Sequence, residues 1–216
     1  MKPRRLTRTE SAEVTRRGLL QAAKKVFLQR GFHGASLEAV ASEAGFTTGA
    51  VYSRFESKAD LFLAVLDERY RETLASVAEA GARAQTRAGV TAAAAGWWPR
   101  RLREGPDWTL VLVEFWAFAG RDPSLRKRFS AQHERLLEGV ANVIDARLTE
   151  LSGEPGDGTL DFIRTTTALA HGLALEELVS PEAVSEELVE GAFGLFRRAL
   201  EGGRSTPARR VAMKES

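Results

Sequence analysis

The sequence predicts an all-α fold of about nine helices, with a three-helix head at the N-terminus and a larger helical body behind it. Three observations predict it. Apolar residues recur at helical spacing along most of the chain, and no stretch alternates as a half-buried strand does. Glycine, proline and Ser/Thr punctuate that pattern where helices need ends and caps. A dense run of such signals between Gly31 and Lys58 marks short helices joined by tight turns.

Each element has its own signal. Leu19, Ala22, Ala23, Val26 and Phe27 make roughly Ala12 to Arg30 an amphipathic helix, and Gly31 ends it where a left-handed cap is wanted. Ser36 caps a second helix, Leu37 to Ala44, which Gly45 breaks. Thr47 or Thr48 caps a short third helix running to Phe55, and Ser57 caps a fourth from Lys58 to about Ala80. Further helices are predicted near Thr86–Arg103, Asp107–Ala119, Pro123–Leu151, Thr159–Val179 and Ser185–Glu201. Gly105-Pro106, Gly120, residues 153–158 and Ser180-Pro181 separate them. The stretch Leu110–Ala119 is apolar nearly all round, which predicts burial. The expected organisation is a flexible basic arm at 1–10, a head at 11–57, a body at 58–201 and a disordered tail at 202–216.

Composition narrows the function classes. The chain has 216 residues, 44% hydrophobic and 28% charged, enough to bury a core without metals or disulfides. It has no cysteine and only three histidines, so neither a disulfide framework nor a cysteine-ligated metal is expected, and no cofactor is implied. G-x-S-x-G, Walker A, G-x-G-x-x-G and H-E-x-x-H signatures are missing, and an enzyme is not expected. The first seventeen residues are polar and basic rather than signal-like, and the longest apolar stretch contains Glu114 and is too short to span a bilayer. The expectation is a cytoplasmic protein with no membrane partner. Charge is uneven. Residues 1–60 hold 11 Lys/Arg against 6 Asp/Glu, residues 61–201 hold 16 against 22, and the last fifteen hold 4 against 1. A basic N-terminal quarter on an acidic body places a polyanion-binding surface in the head.

The constellation that carries function is LEAVASEAGFTTGAVYSRF, Leu37 to Phe55. Val40, Ala44, Phe46, Val51 and Phe55 are apolar where two short crossing helices bury a shared core, Ala41 is small where they approach, and Gly45 sits at the turn. That is a helix-turn-helix, whose second helix projects into a DNA major groove. Thr47, Thr48, Gly49 and Ala50 are the candidate base contacts, because small side chains let a helix sit deep and threonine or a methyl can read a base edge. Gly49 is explained either by close approach to DNA or by a first-turn position, where its cost is small. Ser36, Tyr52, Ser53, Arg54 and Lys58 are the candidate phosphate contacts; Ser36 and Lys58 also lie at helix N-termini, which attract anions. Arg16, Arg17, Lys24 and Lys25 read as a solvated helix face, and Arg4, Arg5 and Arg8 as an arm that either tracks a minor groove or is idle.

The run AAKKVFLQRGFHGASLEAVASEAGFTTGAVYSRFESKADLFLAVL, Ala22 to Leu66, resembles the N-terminal DNA-binding domain of the TetR/AcrR family of bacterial transcriptional regulators. The resemblance rests on the Gly31-Phe32 turn, the Ser36 cap, the Ala44-Gly45-Phe46 turn, the Gly49-Ala50-Val51-Tyr52 core and the exit Phe55-x-Ser57-Lys58-x-x-Leu61-Phe62. Arg54 stands where the family often has an aromatic or histidine, and Ser53 where bulkier residues are frequent, so the base preference does not carry over. The resemblance implies a double-stranded DNA operator, a homodimer and an unknown small-molecule effector held by the body.

In the body all four tryptophans fall between Trp97 and Trp116. Trp97, Trp98, Trp108, Phe115, Trp116 and Phe118 either line an apolar effector pocket or fill the core, with Glu114, His133 and Thr166 as candidate polar contacts and Asn142 and His171 beside them. The last two helices carry Leu169, Leu173, Leu188, Phe193 and Phe196, which the resemblance places in a four-helix dimer interface. The function expected is a ligand-responsive regulator that binds a palindromic operator as a dimer, acting as a repressor. The alternative is an architectural or ligand-independent DNA-binding protein.

Overall fold

The computed structural model of the chain describes residues 7–104 and 106–202; side-chain surroundings are described for these except at 8, 95, 97–104, 106–107, 181 and 196–202. Among the described residues there are nine α-helices and no strand: α1 (Arg8–Gly34), α2 (Leu37–Ala44), α3 (Thr48–Tyr52), α4 (Lys58–Arg83), α5 (Arg87–Glu104), α6 (Pro106–Ala119), α7 (Pro123–Ser152), α8 (Thr159–Val179) and α9 (Glu186–Gly202). A single 3₁₀ turn, Pro181–Ala183, precedes α9.

The predicted helices are all present, and their ends differ for identifiable reasons. The first begins at Arg8 rather than Ala12, because Thr7 and Glu10 form a reciprocal capping box: Glu10 N–H donates to Thr7 Oγ1 at 3.2 Å and Thr7 N–H to Glu10 Oε2 at 2.8 Å. Residues 8–10, expected in the arm, therefore belong to a helix; residues 1–6 of that arm and 203–216 of the expected tail lie outside the described residues. Gly31 has the positive φ expected of it (68°), but its ψ of 176° is extended, not left-handed helical. It kinks α1 instead of ending it, and a last turn runs to Gly34. α3 stops at Tyr52, short of Phe55; Arg54 and Phe55 N–H both bond the Val51 carbonyl in a tightening turn.

The described residues up to Ser76, together with Leu102–Gly139, form one compact unit. Its centre is aromatic. The Phe62 ring lies 5.0 Å from Phe27, 5.4 Å from Phe32, 5.6 Å from Trp108 and 4.4 Å from Phe115, and it is fully buried. α1 packs on both α2 and α6. α6 is more one-sided than its composition predicts. Trp108, Val111, Leu112, Phe115 and Ala119 face the core at helical spacing, whereas Leu110 (44%) and Phe118 (39%) remain exposed. α7 holds α4 through an Arg128–Asp60 ion pair at 2.6 Å and a buried bond from Gln132 Nε2 to the Leu63 carbonyl at 2.9 Å.

Val77–Arg101 and the described residues from Val140 onward form the second unit. Its core is mainly aliphatic: Val90, Val140, Ala141, Ile144, Leu148, Ile163, Ala170 and Ala174, joined by Phe162 and Phe193, with Thr166 and Thr167 also buried. The loop between α7 and α8 is tied by polar groups. Asp145 Oδ1 accepts from Gly156 N–H (2.9 Å) and Thr159 Oγ1 (2.6 Å), and Arg87 donates to the carbonyls of Glu154 (2.8 Å) and Pro155 (3.3 Å). α8 and α9 pack on each other.

Candidate nucleic-acid interface

α2 and α3 form because both are capped at their starts and stopped by short turns. Ser36 Oγ accepts from Ala39 N–H at 3.1 Å, and Thr47 Oγ1, not Thr48, accepts from Ala50 N–H at 3.3 Å. Gly45 (φ 68°, ψ 26°) closes α2 in the left-handed conformation, and the next amide, Phe46 N–H, returns to the Ala41 carbonyl at 3.0 Å. Val40, Ala41, Val51 and Phe55 are buried between the helices as predicted. Phe46 is not. It is 37% exposed and lies over α1, where a Cβ at Gly18 would come within 3.3 Å of its ring.

This packing leaves one face of α3 open. Thr47, Thr48, Gly49, Tyr52, Ser53 and Arg54 are exposed, and Ala50 is half-buried. Several polar groups there are already engaged. Tyr52 Oη donates to Glu38 Oε1 at 2.9 Å, and Arg54 Nη1 donates to the Ala50 carbonyl (3.1 Å) and Ser53 Oγ (3.2 Å). The Glu38 carboxyl is held below the usual carboxylate range by its own backbone amide, then by Tyr52 and Ser36, and the hydrogen bond to Glu38, followed by its charge, pushes the Tyr52 phenol up. Glu38 is a participant that sequence reasoning missed; its place in the first turn of α2, two residues after the Ser36 cap, was the available signal. Lys25 pairs with Glu43 at 2.6 Å, and Arg16 lies 5.7 Å over the Phe55 ring.

Lys58, expected on phosphate, faces inward. Its Nζ donates to the carbonyls of His33 (3.0 Å) and Ala35 (2.9 Å) and sits 4.8 Å from the Phe32 ring centroid. Burial pushes its ammonium below the usual lysine range, and Glu114 works in the opposite direction. Two of its three donors are thus committed to the corner between α1 and α2. Glu114, expected in an effector pocket, reaches the same corner: its Oε2 accepts from Phe32 N–H (2.7 Å) and His33 N–H (3.3 Å).

Of the remaining pocket candidates, Trp108 and Phe115 are buried in the first unit's core, and Phe118 lies 5.0 Å from Phe32. Trp116 and His133 come together, 5.8 Å apart, with Phe129 about equally close to both (6.2 and 6.0 Å). Tyr70 packs against that core with its hydroxyl oxygen buried and without a hydrogen-bond partner among the described residues, and burial pushes its pKa up. Neither Phe129 nor Tyr70 stood out in the sequence. Thr166 lies in the second unit, its hydroxyl bonded to the Phe162 carbonyl at 2.8 Å, so it is committed to its own helix. Asn142 is exposed and His171 half-buried. The side chains of Trp97, Trp98 and Phe196 lie outside the described residues.

Of the dimer candidates, Leu169 and Leu173 are half-buried and Leu188 is 47% exposed. Phe193 is only 2% exposed and belongs to the core of its own chain. Among the described side chains of α8 and α9, Val179 (82%) and Leu195 (63%) are the most exposed large apolar residues.

Known proteins share this arrangement. The family described as bacterial regulatory proteins, tetR family, matches residues 19–65, and the one described as BetI-type transcriptional repressor, C-terminal, matches 97–205. The repressor BepR of Brucella suis is 45% identical over 62 residues, a stretch covering 29% of this chain and 29% of that protein. The regulator UidR of Escherichia coli K12 is 27% identical over 202 residues, covering 89% and 93%. Among solved structures, the Bacillus subtilis regulator FadR in complex with stearoyl-CoA superposes with a TM-score of 0.60 at 18% identity, covering 88% of this chain and 99% of its own. The second family match alone takes in half of the chain, and with the first it brackets both the capped head and the helical body. The chain belongs to the tetR family and is a DNA-binding transcriptional regulator.

Proposed function

We propose that the chain acts in the cytoplasm as a homodimeric repressor. α3 of each protomer enters the major groove at one half of a palindromic operator, and a small apolar or amphipathic effector bound by the body changes that fit. The observation that carries this reading is the open face of α3. Val51 is fully buried, Thr47, Thr48 and Gly49 point outward, and a Cβ at Gly49 would meet nothing within 4 Å. Among the described residues nothing crowds that position, whereas a backbone lying against base edges does require a glycine there. One short helix reads too few base pairs, which argues for two copies. The exposed Leu188 and Leu195, one heptad apart on α9, with Val179 on α8, offer the surface for that pairing.

Repressor is the role in the names of BepR and of the C-terminal family. The effector class is supported by the stearoyl-CoA held by the B. subtilis neighbour, and in this chain by the half-buried Trp116–Phe129–His133 group. Tyr52 has to exchange Glu38 for a phosphate on binding, so DNA competes with an existing hydrogen bond.

The test is enrichment of a duplex from a random pool by the full chain, followed by titration at fixed salt. A single palindrome is expected. Gly49→Ala should weaken binding to it about tenfold, the scale of one mismatched base pair, while stabilising the free protein by up to about 1 kcal/mol. Unchanged binding would assign Gly49 to first-turn geometry alone. Enrichment without a common palindrome favours an architectural protein. Thermal shifts across a series of acyl compounds check the effector, and a flat response sinks it.

A further inference from the structure

The corner between α1 and α2 is fastened from two sides by groups far away in sequence. At Gly31 the backbone leaves helical geometry (φ 68°, ψ 176°), which turns the amides of Phe32 and His33 away from the helix ladder. Both amides donate to one oxygen, Glu114 Oε2 on α6, at 2.7 and 3.3 Å. On the carbonyl side, Lys58 of α4 takes His33 and Ala35 at 3.0 and 2.9 Å. The corner therefore meets a carboxylate with its donors and an ammonium with its acceptors. Between them the Phe32 ring is 1% exposed and lies 5.1 Å from Phe115 of α6.

The fit around Gly31 is closed. A Cβ there would fall 2.8 Å from both Glu114 oxygens, in addition to the strain that the positive φ imposes on any other residue. Gly31 and Glu114 are thus matched: one supplies the turned amides and the empty space, the other fills both. Bonds to a carboxylate are roughly twice as strong as neutral ones, and they lose their strength within about an ångström of displacement. A small slide of α6 either carries the corner with it or breaks the contact, and an interlock of this kind switches between discrete arrangements. The next residue after the corner is Ser36, the cap of α2, so the pose of α2 and α3 starts from this point.

We propose that Gly31, Glu114 and Lys58 form a positioning joint that sets the angle at which the reading helices are presented, and that Glu114 thereby helps to define which half-site spacing the regulator accepts. The inference rests on the operator-binding reading above. A loosened joint lets the head rock, so the protein tolerates a spacing that the intact joint rejects. Loss of fold stability alone would lower affinity for all spacings alike.

The experiment uses the full chain, the palindrome it enriches, and the same half-sites with one base pair inserted between them, a shift of about 3.4 Å. The wild type should prefer the parent spacing about tenfold or more. Glu114→Ala should reduce that preference to about threefold or less, with circular dichroism still helical. Glu114→Gln should keep most of it, because one amide oxygen can accept both N–H groups as Oε2 does. Glu114→Asp, one methylene too short, should fall between and serves if the alanine variant does not fold. Gly31→Ala should resemble Glu114→Ala. An unchanged preference in folded Glu114→Ala or Glu114→Asp overturns the proposal. So does a glutamine variant as permissive as alanine, which would assign the effect to charge. A wild-type chain that enriches no duplex overturns the operator reading itself, an outcome distinct from both.

Discussion

The two compact units are built on opposite principles. The first buries large rings: Phe27, Phe32, Phe62 and Phe115 are each at most 1% exposed, and the polar groups around them clamp backbone, as Glu114, Lys58 and Gln132 do. The second buries mainly small aliphatics and threonines, with Phe162 and Phe193 as its buried rings among the described residues. It also leaves Val179, Leu188 and Leu195 in water. Rings packed mostly edge to face, with polar clamps on the backbone around them, specify one arrangement. A core of small side chains beside exposed apolar ones specifies its arrangement less tightly and has surface left to cover. The first unit is thus suited to hold the exposed face of α3 still, whereas the second keeps apolar side chains exposed on α8 and α9.

The largest test of that contrast is Phe62→Ala. Removing a fully buried ring in contact with four others should cost about 3–5 kcal/mol, read from urea unfolding. Trp108, whose ring stacks on Phe62 at 5.6 Å, reports the loss by fluorescence. A cost below about 1 kcal/mol would mean that the aromatic centre repacks freely, and the contrast would fail. The next test is Leu195→Glu together with Val179→Glu. Both sites are exposed in the single chain, so folding should change by no more than about 0.5 kcal/mol each. If a second copy covers them, association should weaken by about 2 kcal/mol or more, about thirtyfold in dissociation constant. Sedimentation across a concentration series distinguishes the two results, and an unshifted dimer would place the interface elsewhere.

The contrast also separates what was legible in the sequence from what was not. The head was legible because its rules are local. Ser36, Gly45 and Thr47 act on amides within a few residues, and Val40, Val51 and Phe55 follow helical spacing. Even the early start of α1, at Arg8, follows from a local signal, the Thr7–Glu10 box. What stayed hidden depends on distance. Glu114 read as a pocket group because its partners lie 82 and 81 residues away. Lys58 read as a phosphate ligand because its two carbonyls become neighbours only when α1 kinks at Gly31. Phe193 fits an interface by periodicity, yet periodicity does not say whether the face it marks meets its own chain or another. In the body the same ambiguity applies to every aromatic, since a ring that lines a pocket and a ring that fills a core have the same spacing.

The smallest effect tests whether the charged contacts of the first unit contribute at all. Asp60 closes the α4 cap, its Oδ2 accepting from Ser57 Oγ at 2.7 Å, and pairs with Arg128 at 2.6 Å. Burial raises its pKa, but Ser57 and Arg128 together outweigh that and hold the carboxyl below its ordinary value. A lowered folded-state pKa means that the stabilisation is complete above the unfolded value of about 3.9 and disappears as pH falls through the folded one. The Arg128 side chain is 54% exposed, so solvent screening limits the pair to about 0.2–1 kcal/mol. Arg128→Ala removes the ion pair and leaves the cap, whereas Asp60→Asn disturbs both. Asp60→Asn should therefore cost more than Arg128→Ala at pH 6, and the gap between wild type and Asp60→Asn should narrow as the pH is lowered from about 4 toward about 3. A gap that does not change with pH would assign the contact to shape alone, and the first unit would then owe its rigidity to its rings and its backbone clamps.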